Sequence, residues 1–102
     1  MDKRAYCYFN IVDRLHVKDS RDFCVYGTYH EIVKYQWMKM SELAKEWGRR
    51  FNPIEEFYPY DWNGNQVYCV CIGWWSEDEK RPSSDQGYRF EILPDMNQNK
   101  LS

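Results

Sequence analysis

Between Tyr6 and Val17 the chain alternates. Cys7, Phe9, Ile11, Leu15 and Val17 fall on one side and Tyr8, Asn10, Arg14 and His16 on the other, with Asp13 interrupting the apolar row. That period of two predicts a strand. The polar cluster Lys18-Asp19-Ser20-Arg21-Asp22 then predicts a turn, and Phe23 to Tyr26 a second strand, so the two form a hairpin. Thr28 followed by Glu31 has the spacing of a capping box, in which each side chain satisfies an orphan N–H of the first helical turn. A helix is predicted from Thr28 to Phe51. Its core-facing stripe is Tyr29, Val33, Trp37, Met40, Ala44, Trp47 and Phe51, flanked by Ile32, Gln36 and Leu43. Asn52-Pro53 stops it, because the residue before proline is pushed out of helical geometry. A competing pattern runs through Tyr26 to Trp37, whose β-branched and aromatic residues also alternate as a strand. Ser41 would then cap a shorter helix over 42–51, a segment helical in both readings.

Beyond the helix, Ile54 to Tyr60 reads as an extended run that Pro59 confines to a sheet edge. Asn63-Gly64 carries the hairpin signal. Gln66 to Trp75 is apolar on both faces, with Val67, Cys69, Cys71 and Trp75 on one and Tyr68, Val70, Ile72 and Trp74 on the other. Such a strand is expected at the sheet centre as the most buried element. Ser76 to Gly87 is a long polar loop, and Tyr88 to Leu93 a last half-exposed strand closed by Pro94. The order ββαβββ predicts an α+β fold of two layers, an antiparallel sheet of about five strands with one main helix on one face. A single domain over 1–96 and a polar tail over 97–102 are expected.

Composition narrows the class. Hydrophobic residues make up 43% of the 102 and charged residues 29%, which excludes a disordered chain. No apolar run approaches the roughly 20 residues that span a bilayer, and the start lacks a secretory apolar region, so a cytoplasmic setting with four free thiols is expected. Residues 1–51 carry a net +3 and residues 52–102 a net −5. The first is too weak for a dedicated DNA-binding footprint, and the second too weak for a phosphate-backbone mimic.

Candidate chemistry is sparse. Cys69 and Cys71 share a strand face, and Cys7, Cys24, His16 and His30 could complete a tetrahedral site. The spacing nevertheless lacks the paired short knuckles of a zinc module, so no metal is assigned. His30 near Cys24 would make a nucleophile and base only through proximity in space. Glu55 and Glu56, beside Tyr58 and Tyr60, point opposite ways on a strand and cannot converge on a bond. No phosphate-binding glycine loop or metalloprotease motif occurs; no catalytic residue or cofactor is assigned, and no enzyme is expected.

Two binding surfaces stand out. Trp74-Trp75 runs into Ser76-Glu77-Asp78-Glu79, placing two large aromatics against three acids, the composition of an interface hot spot beside a charged rim. On the helix, Tyr35 and Met38 fall on the polar side with Glu42, Lys45 and Arg49 and so lack a core duty. These seven contact residues suit a small non-enzymatic inhibitor or adaptor that docks on a basic surface of a partner protein. By analogy, phage or mobile-element accessory proteins that block nucleic-acid enzymes or defence systems fit that description. The alternative is single-stranded nucleic acid, held by Tyr6, Tyr8 and Tyr26 with Lys3, Arg4, Arg14 and Arg21 on the first hairpin.

Overall fold

The computed structural model describes residues 3–53, 59–60 and 64–94. Its elements are β1 (Arg4–Asp13), β2 (Ser20–Thr28), α1 (Tyr29–Trp47), β3 (Val67–Ser76) and β4 (Glu91–Ile92), with one 3-10 turn at Ser84–Gln86 before β4. They make an α+β fold, a single main helix on a four-stranded mixed sheet of order β3-β1-β2-β4. β1 pairs antiparallel with both β2 and β3, whereas β4 runs parallel to β2. The expected strand over 54–60 lies almost wholly outside the described residues, as does most of the Asn63-Gly64 turn.

The hairpin forms, but its turn comes earlier than expected: β1 ends at Asp13 rather than Val17, and Ser20, Arg21 and Asp22, read as turn, already pair with Val12, Ile11 and Asn10. Ala5, Cys7, Phe9 and Ile11 of β1 are buried, and Tyr6, Tyr8 and Asn10 turn to the opposite face. Asp13 caps the turn rather than spoiling the strand: its Oδ1 accepts from Leu15 N and Arg49 Nε, and its carbonyl from His16 N. Leu15 and Val17 therefore leave the strand and stand exposed.

Helix α1 starts as the capping box requires. Thr28 Oγ1 accepts from Glu31 N, and Glu31 Oε1 accepts from Thr28 N. The strand reading of Tyr26 to Trp37 is thereby overturned. The helix stops at Trp47 rather than Phe51, because Gly48 adopts the left-handed conformation (φ 67°) and its N–H returns to the carbonyls of Ala44 and Lys45. Ile32, Gln36, Met40, Leu43 and Ala44 face the sheet as expected, but the buried stripe is wider than the sequence pattern. Tyr35, assigned to the polar side, is only 6% exposed; its ring meets Phe9 and Phe23 edge-on, and its hydroxyl donates to Glu91. Tyr29 conversely is exposed.

The largest correction concerns β3. It lies beside β1 at the end of the described sheet, and β1 is the central, most buried strand. Val70 and Ile72 remain 42% and 51% exposed, because the helix covers only the other face. Apolarity on both faces of β3 therefore does not mark a sheet centre, and Val70 and Ile72 stand open to solvent. The segment after β3 crosses the open face, where Phe90 meets Trp75, and pairs with β2, so the last strand is parallel and two residues long.

Candidate functional site

A bulge in β3 decides which side chains share the open face. Tyr8 pairs with Gly73 and Phe9 with Cys71, so Ile72 has no partner on β1. The extra residue reverses the alternation beyond it. Trp74 opposes Cys7 and turns toward the helix, where it packs on the core and meets Tyr29 edge-on at 5.5 Å. Trp75 opposes Tyr6 on the open face. Its indole lies flat over Gly73, where a Cβ would collide with the ring. The face assignments expected from simple alternation are thus exchanged for these two residues.

The open face is a tyrosine field. Tyr6 stands between Tyr26 and Trp75 in register, and its ring lies 4.5 Å from that of Tyr26. The crossing segment lays Phe90 edge-on against both Tyr6 (5.1 Å) and Trp75 (6.3 Å), and Tyr88 edge-on against Tyr8 (5.5 Å). The Arg81 guanidinium sits 3.5 Å above the Tyr6 ring, a close cation–π contact. Glu77 accepts from the Tyr26 hydroxyl and thereby holds the Tyr26 phenol above its ordinary pKa range.

Between segment and sheet opens a groove of about 740 Å³. Tyr6, Tyr26, Tyr88 and Phe90 supply rings, and Lys80, Arg81 and Arg89 supply charge. Among the described residues no ion pair joins any of these three cations to a carboxylate. Sequence reading found the three hairpin tyrosines but chose other cations. Arg4 is drawn to Glu31 and Arg21 to Glu46, while Arg14 lies over Tyr68. The groove cations come from the segment between β3 and β4, which a linear reading had no reason to fold onto the hairpin.

In the expected acidic and aromatic surface, one Trp of the adjacent pair points inward, as two neighbours on a strand require. Trp74 and Trp75 face opposite sides of the sheet, and Glu79 spends its carboxylate accepting from Ser76 N. Glu77, Asp78 and Glu79 are all exposed. Met38 is 41% exposed on the helix, but Tyr35 beside it is buried, so the two do not form a patch.

Nucleophile and metal readings gain no geometry. His16 pairs with Asp19 in the β1–β2 turn, His30 is exposed on the first turn of α1, and Cys24 lies on the sheet opposite Tyr8. Glu55, Glu56 and Tyr58 lie outside the described residues. Among the described residues no three His, Cys, Asp or Glu side chains converge as metal ligands. The four cysteines are free thiols, and no described helix is long and apolar enough to cross a membrane. No protein-family model, curated protein or solved structure matches the chain.

Proposed function

We propose that the protein is a non-enzymatic binding module whose open sheet face takes single-stranded nucleic acid. The observation that carries this reading is the groove in which Lys80, Arg81 and Arg89, without carboxylate partners among the described residues, meet the rings of Tyr6, Tyr26, Tyr88 and Phe90. Aromatic rings offer stacking surfaces to any base, and unpaired cations meet the phosphates between them. An entering base takes the face of Tyr6 that Arg81 covers, and the displaced guanidinium pairs with the neighbouring phosphate. Duplex DNA buries its base faces and gains only the charge contacts.

Fluorescence anisotropy of a labelled single-stranded oligonucleotide, titrated at several salt concentrations, tests this reading. Wild type should bind with affinity that falls as salt rises, and should prefer single strands to duplex. Replacing Lys80, Arg81 and Arg89 by Glu together should abolish binding, and each single replacement by Ala should lower the salt slope by about one. Equal binding by the triple variant would overturn the assignment.

A second reading retains the partner protein with a basic surface, for an inhibitor or adaptor. It rests on the three exposed acids Glu77, Asp78 and Glu79, which rim the entrance to the crossing segment beside half-buried Trp75. Reversing those acids to Lys separates the two. Nucleic-acid binding should then strengthen, whereas docking on a basic protein should lose its fast, salt-sensitive association.

A further inference from the structure

On the helix side of the sheet, Cys7 of β1 and Cys71 of β3 bring their sulfurs to 3.9 Å across the bulge. The two are unequally exposed, Cys7 fully buried and Cys71 half-buried. A polar chain serves the buried one: Gln36 Nε2 donates to Cys7 Sγ at 3.6 Å, and the Tyr60 hydroxyl donates to Gln36 Oε1 at 2.9 Å. A carboxamide that donates to a thiol and is itself held by a phenol is more than a hydrophobic packing role requires. We propose that Cys7 and Cys71 form a reversible thiol–disulfide site, in which Cys71 meets a low-molecular-weight disulfide and Cys7 resolves the product.

The chemistry balances within that pair and the small disulfide. The Cys71 thiolate attacks one sulfur of the small disulfide; an S–S bond forms at Cys71 and the other half leaves as a thiolate. Cys7 then attacks Cys71 Sγ, its proton passes to the second departing thiolate, and the bound half is released as a thiol. The protein loses two thiols to one S–S bond, and the small disulfide is reduced to two thiols. The division of roles follows from hydrogen bonding and burial. A bond from Cys7 is the foremost cause holding the Cys71 thiol down to about 7, and that same bond, with burial, holds Cys7 far above the ordinary thiol range. Near neutral pH the more exposed sulfur is therefore the reactive one. Bridging requires the sulfurs to close from 3.9 Å to about 2.05 Å, and for a diagonal pair across the bulge that closure includes a backbone adjustment. Cys69 is buried two residues away, its thiol pushed up by burial, and Cys24 lies on the other face.

Incubation of the folded protein with oxidised glutathione, followed by alkylation and peptide mass spectrometry, tests the proposal. A cross-linked peptide joining Cys7 to Cys71, restored to free thiols by dithiothreitol, is the expected product. Cys71→Ser should leave Cys7 unmodified, Cys7→Ala should stop at glutathione attached to Cys71, and Cys24→Ser should bridge as wild type does. Circular dichroism confirms that each variant is folded, and the wild-type product decides the matter should Cys7→Ala fail to fold. Wild type carrying only unlinked glutathione, no modification, or a bridge through Cys24 or Cys69 would overturn the proposal.

Discussion

The two faces of the sheet are built from alternate residues of the same strands yet are closed by different forces. On the helix face Cys7, Phe9, Ile11 and Val25 meet Ile32, Met40 and Leu43, all buried. That closure is apolar, non-directional and proportional to area. On the other face Tyr6, Tyr8, Tyr26 and Trp75 are covered by a polar segment through ring edges, one guanidinium and one carboxylate. The ring contacts and the cation–π contact each contribute about 1 kcal/mol. One face is a core and the other a surface covered by a polar segment.

Breaking the helix face should have the largest effect. Phe9→Ala removes a buried ring stacked on Phe23 and should cost about 3–5 kcal/mol in urea denaturation. Gly73→Ala strikes the open face: a Cβ there collides with the Trp75 ring, and displacing it should cost about 1–3 kcal/mol and change the Trp fluorescence. Tyr6→Ala sharpens the contrast. It should reduce oligonucleotide affinity by about 1–3 kcal/mol by anisotropy, and its loss of stability should be smaller than that of Phe9→Ala, three positions along β1.

Smaller effects belong to the ends of elements. Thr28→Ala removes one half of the capping box and should cost about 0.5–2 kcal/mol in thermal or chemical denaturation. Asp13 supplies a pH dependence. Its hydrogen bond from Arg49, above all, holds its carboxyl below the ordinary range. A depressed folded-state pKa stabilises above the unfolded value of about 3.9, and that contribution is lost as pH falls through the lowered value. Asp13→Asn should flatten the acid limb of a melting-temperature profile while lowering the melting temperature at neutral pH.

The sequence made the helix face legible because its signals are local and periodic. Alternation in Cys7, Phe9 and Ile11 and the Thr28–Glu31 spacing each specify a geometry without reference to distant residues. The open face was only half legible. Tyr6, Tyr8 and Tyr26 announce an aromatic surface, but the cations that complete the groove lie more than fifty residues away, Lys80 and Arg81 in a loop with no pattern of its own and Arg89 in the strand expected after it. Two further features were hidden for physical reasons. A bulge at Ile72 leaves no signature that distinguishes it from regular alternation, so Trp74 and Trp75 exchange faces. Apolar residues on both faces of β3 read as a sheet centre, although Val70 and Ile72 stand exposed on a strand at the end of the described sheet. Tyr35 illustrates a third limit: a ring read on the polar side of the helix is buried where Phe9 and Phe23 offer it edges.

The most direct test of the open face as the binding surface is ultraviolet cross-linking of a bound single-stranded oligonucleotide, with the attached peptides identified by mass spectrometry. Cross-links should fall on Tyr6, Tyr26, Tyr88 or Phe90 and disappear in the Lys80, Arg81 and Arg89 triple replacement. Cross-links confined to helix-face or helix positions such as Trp74 or Tyr29, or unchanged in the triple variant, would contradict the account.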